Sequence, residues 1–306
     1  MGSLQLMLLD RRQGAILVLL VFVLVLSLAA PAAAHRKRKP GIYVKPGPNA
    51  IAKAINRAHA GQTIRIRSGR YHEALVIDKP VRLISAGRAR PVIDGDCETQ
   101  FTVAVRSDNV ILRHLKVVGA DEGNGPFPAE VDFNSVTTGR ARSLVVKDTC
   151  DAEYGINVFG TGPVQILANE ARGGFSDAGI YIGGILDTGS GALRVRNNVS
   201  YGNNRGIIVE DSGPPADVRI TANRLFENRL PPGEGEPSGL FLHRSDGILI
   251  FANAIHDNGH YGIHLDDGSE DNRLYDNAVS SNPTNFFAES TGNCGSGNTG
   301  FSIPTC

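Results

Sequence analysis

The chain has no C-x-x-C pair, no excess of either charge and no Ser/Pro/Gly-rich linker. Without closely paired cysteines, nothing in the sequence points to a zinc site. With 31 basic and 31 acidic residues, it lacks the electrostatic footprint of a nucleic-acid-binding protein. Without a linker, the 306 residues read as one large domain around one continuous core. Helical periodicity is confined to one short segment, which excludes a helical bundle or helical repeat.

At the N-terminus, Arg11 and Arg12 precede an uncharged apolar run from Ala15 to Ala30, and "PAAAH" follows. This is the pattern of a secretory signal cleaved after Ala34. The alternative is an uncleaved anchor, since residues 14–34 are long enough to cross a bilayer and "HRKRK" comes next. Either way the remainder lies outside the cytoplasm, without stable membrane contact if the signal is removed. Cleavage takes away Arg11, Arg12 and Asp10, leaving 29 basic against 30 acidic residues. Residues 35–47 read as a solvated basic tail. Cys97, Cys150, Cys294 and Cys306 form an even set in an oxidising compartment, where three pairings are open. Nearness in sequence favours Cys294 with Cys306, leaving Cys97 for Cys150.

A repeat emerges when the chain is cut before each glycine that opens an apolar alternation: "GINV" at 155, "GIYI" at 179, "GIIV" at 206, "GLFL" at 239 and "GIHL" at 262. Each copy adds a second short strand that brings an asparagine to one aligned position, namely Asn169, Asn198, Asn223, Asn253 and Asn277. Five residues further on, Asn203, Asn228, Asn258 and Asn282 do the same. Strands and asparagine turns at this period predict a parallel β-solenoid, because no single turn can bury its own apolar face. The asparagines are expected to occupy left-handed corners and to hydrogen-bond from turn to turn. The sequon at Asn198 falls on that ladder and so is not read as a glycan site. Residues 48–61 place Ile51, Ala54, Ile55 and Ala58 on one helical face, with Gly61 to stop the helix. The expected architecture is therefore all-β: residues 48–290 as the solenoid with a helical cap at its N-terminal end, and 291–306 as a cystine-closed cap at the other.

The opening "IRIRSGRYHEALVIDKPVRLISAG", "VIDG" and the repeats that follow resemble the right-handed parallel β-helix proteins of the pectate-lyase-like superfamily, over nearly all of residues 41–290. That superfamily spans polysaccharide lyases, hydrolases, epimerases, esterases, tailspikes and a copper-site maturation protein, so the resemblance implies the fold and leaves the reaction open. Where its members act on sugars, the resemblance implies that the chain lies along an outer sheet face walled by loops. The "N-T-D" and "G-H-G" motifs of polygalacturonases are absent, and residues 259–262 read G-H-Y-G. The "D-P-H-D" of alginate epimerases and a clear pectate lyase arginine motif are absent as well.

Alternation places the second and fourth positions of each G-I-x-L-x strand inward and the third and fifth outward. The outward pairs are Asn157 and Phe159, Tyr181 and Gly183, Ile208 and Glu210, Phe241 and His243, His264 and Asp266. Phe159, Tyr181, Phe241 and His264 are candidate sugar contacts. Glu210, His243 and Asp266, one per turn, with Arg244 beside them, are candidate catalytic groups. A histidine base with a cation suits β-elimination or C5 epimerisation of a uronate. Glu210 with Asp266, two turns apart, suits inverting hydrolysis, which needs carboxyls about 6.5–9.5 Å apart. Asp211 and Asp267, near Glu210 and Asp266, are candidate oxygen ligands for Ca²⁺. The expected partner is an acidic polysaccharide and the expected state a monomer. Two other readings stand beside this one: a non-catalytic surface scaffold, and a metal-handling protein using His243, His256, His260 and His264.

Overall fold

The computed structural model describes residues 41–160, 162–229 and 235–306. The expected signal segment and the start of the basic tail lie outside the described residues, as do residues 230–234. Among the described residues, no helix is long and apolar enough to cross a membrane.

Each turn of chain supplies one strand to each of three parallel sheets, of eleven, nine and nine strands. We call them sheets 1, 2 and 3 in the order the chain meets them. In one turn, Val164–Leu167 lies in sheet 1, Glu170–Arg172 in sheet 2 and Ala178–Gly183 in sheet 3. The inward residues stack in register: Ile166, Val195, Ile220 and Ile250 in sheet 1, and Ile156, Ile180, Ile207, Leu240 and Ile263 in sheet 3, all fully buried. Each such side chain contributes about 1.5–3 kcal/mol of burial. The chain is thus an all-β parallel β-solenoid, with the alternation expected from its repeats.

The solenoid reaches further at both ends than expected. Ile42–Val44, within the stretch read as a tail, pairs with Gln62–Ile66, and Cys294–Ser296, within the expected cap, pairs with Arg273–Tyr275. Disulfides join Cys97 to Cys150 and Cys294 to Cys306. The cap helix, Ala50–Arg57, buries Ile51, Ala54 and Ile55 against the first turns. It stops before Gly61, because Ala58 is already extended while its N–H still bonds back to the carbonyls of Ala54 and Ile55. Asn49 makes no capping hydrogen bond at its start. Instead the carboxylate of Glu73, 22 residues on, accepts from the N–H groups of Ile51 (2.9 Å) and Ala52 (3.0 Å), orphan donors that any helix start must satisfy.

The asparagine ladder runs through the corner between sheets 1 and 2. The Asn198 N–H and Nδ2 both donate to Asn223 Oδ1 (2.9 and 3.0 Å), and Nδ2 also donates to the Ile166 carbonyl (2.9 Å). The same triplet recurs at Asn169, Asn223, Asn253 and Asn277, where Asn298 supplies the last acceptor. One expectation is corrected here. The left-handed residue is the one before each asparagine (Ala168, Asn197, Ala222, Ala252 and Asp276), because the turn must complete before the amide can point along the stack.

The second ladder, through Asn203, Asn228, Asn258 and Asn282, lies beside the glycines that open the sheet 3 strands. A Cβ on Gly179 would fall 2.1 Å from Ser200 Oγ and 2.7 Å from Asn203 Nδ2, so only glycine fits. In the turn that lacks this asparagine, Glu130 occupies the position opposite Gly155. Its fully buried carboxyl faces Thr102 Oγ1, Gly119 N–H and Ala120 N–H. Burial, only partly offset by those donors, pushes its pKa from 4.5 up to about 8.

Two outcomes follow. Asn223→Ala removes the acceptor shared by two Asn198 donors and is expected to cost about 2–4 kcal/mol in urea unfolding. Folded Glu130 keeps its proton where the unfolded chain has lost it. Its contribution to unfolding free energy is therefore complete below pH ~4.5 and falls as pH rises to about 8. Glu130→Gln is expected to flatten that decline, and an unchanged slope would refute the assignment.

Candidate functional site on sheet 3

The outward residues of sheet 3 stand in two columns. One runs Asp132, Asn157, Tyr181, Ile208, Phe241, His264 and Phe287. The other runs Asn134, Phe159, Gly183, Glu210 and His243, with Asp266 on the following turn in contact with His243. Loop 184–192 leaves the sheet on one side, and loop 121–128 enters it on the other.

His243 sits between two carboxylates. Its Nδ1 is hydrogen-bonded to Asp266 Oδ2, and its Nε2 lies 3.8 Å from Glu210 Oε1. Glu210 Oε2 accepts from the Tyr181 hydroxyl at 2.6 Å. Burial and the neighbouring Glu210 raise the Tyr181 pKa, which keeps that hydroxyl a donor. Arg244 is tied to Asp211 (2.8 and 3.0 Å) and lies 3.7 Å from Glu210. The imidazole ring thus stands where a water would have to sit between Glu210 and Asp266, which works against inverting hydrolysis by that pair. No group of three metal-ligand atoms includes Asp211 or Asp267 among the described residues.

Beside this array lies a cavity of about 300 Å³, at the small end of ligand pockets. Tyr154, Asn157 and Tyr181 line it with Phe101, Phe127 and Phe159. Tyr154 and Tyr181 pack at 4.6 Å between ring centres. Asn157 donates to Asp132 (2.7 Å), while its own Oδ1 is buried without a hydrogen-bond partner. Asp132 is paired with Arg106 (2.5 Å), and burial raises its pKa despite that pairing.

The other expected contacts differ in accessibility. Phe159 is 46% exposed at the cavity edge. Phe241 is covered by the Arg205 guanidinium (5.0 Å), which is itself held by Asp177 (2.5 Å). His264 points away from the core yet is only 4% exposed. The rings of Tyr261, Phe241 and Phe287 surround it, at 4.4, 5.0 and 5.4 Å, and Glu289 bonds its Nε2 at 3.2 Å. The four clustered histidines do not converge: His256 stacks on Phe226 in sheet 2, and His260 packs on Tyr261. The one candidate ligand grouping among the described residues is His72, Asp94 and Asp96. It lies in sheet 2, on the strand Val92–Thr99 and its neighbour, and Asp94 is already paired with Arg70.

Sequence reading missed Tyr154, Phe101, Phe127, and Asp132 and Asn134 at the head of the two columns. Tyr154 precedes the repeat glycine, Phe127 lies in a loop, and the Asp132 turn has Glu130 in place of glycine, so it drops out of a glycine-based alignment.

Residues 103–302 match the family described as Periplasmic copper-binding protein (NosD). The chain belongs to the NosD family. Among solved structures, this NosD-family chain is similar to the pectate lyase Pel9A, at 12% identity and a TM-score of 0.59, over 87% of this chain and 80% of that one. A rhamnogalacturonan lyase aligns at 13% identity and a TM-score of 0.48, over 87% and 90%. No curated protein matches the chain. At such identity the first likeness speaks for fold alone.

Arg205 both neutralises Asp177 and covers Phe241, so Arg205→Ala is expected to cost about 3 kcal/mol. Adding Asp177→Asn should recover part of that loss in a double-mutant cycle. Additive effects would show that the pair is not coupled.

Proposed function

We propose that this NosD-family chain is an extracytoplasmic protein, secreted or held at the cell surface, that binds an acidic polysaccharide along sheet 3. We further propose that His243 removes a proton from the bound sugar. Two disulfides fit an oxidising compartment. The observation that carries the reading is the placement of His243 between Asp266 and Glu210, linked through Tyr181 to an aromatic cavity. An aromatic cavity suits the apolar faces of a sugar ring.

With Nδ1–H donated to Asp266, the Nε2 lone pair is free to act as a base. It would take the proton from the carbon next to a uronate carboxylate, and the electron pair would delocalise into that carboxylate. In elimination, the bond from the neighbouring carbon to the glycosidic oxygen then breaks, a carbon–carbon double bond forms, and the departing oxygen takes a proton from water. In epimerisation, a proton returns to the opposite face. Arg244 is the nearest cation for the substrate carboxylate, and it would turn from Asp211 to reach it.

Copper appears in the family's description, but the described residues do not fit it. Copper favours imidazole and soft sulfur donors. All four cysteines are in disulfides, Met1 and Met7 lie outside the described residues, and the one ligand grouping offers a single imidazole.

The purified protein is expected to release unsaturated uronate from polygalacturonate, alginate or a glycosaminoglycan, or to invert C5 as read by NMR. His243→Ala should lower that rate about 10²–10⁴-fold without weakening retention. Retention with neither product would favour the scaffold reading, and no retention on any of these polymers would overturn the proposal.

A further inference from the structure

Acids and bases alternate on sheet 3: Asp132 meets Arg106, Asp177 meets Arg205, and Asp266 meets His243. Sheet 1 is arranged otherwise. Its eleven strands contain no aspartate, no glutamate and no lysine, yet they carry nine arginines. Register sorts the arginines into two outward columns. Arg82, Arg140, Arg194, Arg219 and Arg273 share one, with Ile111, Gln165 and Leu249 between them. Arg65, Arg113, Arg142 and Arg196 share the other.

From the strand of Arg65 to that of Arg219 there are six strand spacings, or about 29 Å at ~4.8 Å each. The two columns are about 7 Å apart, the distance between every second residue of a strand. Arg219 is paired with Asp217 (2.6 Å). Arg113, Arg140, Arg142, Arg194, Arg196 and Arg273 are exposed and make no ion pair among the described residues. The nearby turn acid Asp108 is taken up by the N–H groups of Thr137 and Thr138. Stacked like charges repel one another, and among the described residues no internal acid pairs with these six.

A trough of about 670 Å³ lies on this same face. Arg140, Arg194 and Arg219 line it, with Asp217 held by Arg219 and with Asn109, Thr138 and Ser190 as neutral hydrogen-bonding groups. Arginine's planar fork binds carboxylate or sulfate through two parallel hydrogen bonds, which a lysine cannot reproduce.

We infer that the outer face of sheet 1 is a second binding site, for a linear polysaccharide bearing carboxylate or sulfate groups. The arginine columns hold the anionic groups at intervals along the axis, and the neutral side chains of the trough meet sugar hydroxyls. A recessed, extended trough suits a chain lying along the rod better than a flat lipid surface. The inference does not depend on chemistry at His243.

The test uses polygalacturonate for carboxylate, heparin for sulfate, dextran as the neutral control and phosphatidylglycerol vesicles as the lipid arm. The mature chain is expected to bind at least one of the two anionic polymers, with affinity falling steeply as salt rises, and to ignore dextran. Arg140→Gln/Arg194→Gln/Arg196→Gln alters exposed side chains only and should melt like the parent. It is expected to weaken binding about tenfold or more and to lower the salt slope by about two to three. The arginine triple variant should leave turnover at His243 unchanged at saturating polymer, which separates this face from the sheet 3 reaction. Parent-like affinity in the triple variant would overturn the inference, as would vesicle binding tighter than binding to either polysaccharide.

Discussion

Everything in this structure depends on the requirement that successive turns stack at one spacing and in one register. A parallel sheet offers regular backbone hydrogen bonds along its strands, and the residue before each corner asparagine still bonds to the next turn's backbone, but the asparagine's own N–H finds no backbone acceptor and would be stranded. The asparagine ladder meets that need, because each amide satisfies backbone groups of the preceding turn and donates to the side chain of the next. Once the corners are fixed, the faces are fixed too. Side chains at equivalent positions are bound to stand in columns, whether they are core isoleucines, the Glu210 and His243 column or the arginines of sheet 1.

The same rule explains what the sequence could and could not reveal. Five copies share a glycine and an asparagine, and from these alone the inward and outward faces of residues 155–277 were legible, including the pairing of Glu210 with His243. Exposure was not legible from the same pattern. His264 points outward, yet three aromatic neighbours from its own and adjacent turns enclose it. Alternation tells which way a side chain leaves the strand and is silent on how tightly its neighbours on the same sheet close over it.

The missed residues follow from local departures. Glu130 replaces the glycine of its turn and turns a cramped corner into a buried carboxyl site, so Asp132 and Asn134 went unaligned. Phe127 comes from a loop whose length varies between turns. Glu73 caps a helix 22 residues before it, a contact that only the first turns of the solenoid bring about. Each of these is a contact between segments distant in sequence, and none leaves a periodic trace.

The way the ladder ends has a consequence for how such a chain can vary. Asn277 finds its last acceptor in Asn298, one whole turn later, and the strand Cys294–Ser296 is still paired in sheet 1. A residue added within a strand would shift every side chain after it to the opposite face. A complete turn inserted anywhere would present matching asparagines above and below and leave each column intact. The length of this rod is therefore quantised: over generations it can grow or shrink by entire coils, with loop variation free at the rims and almost none permitted along the walls.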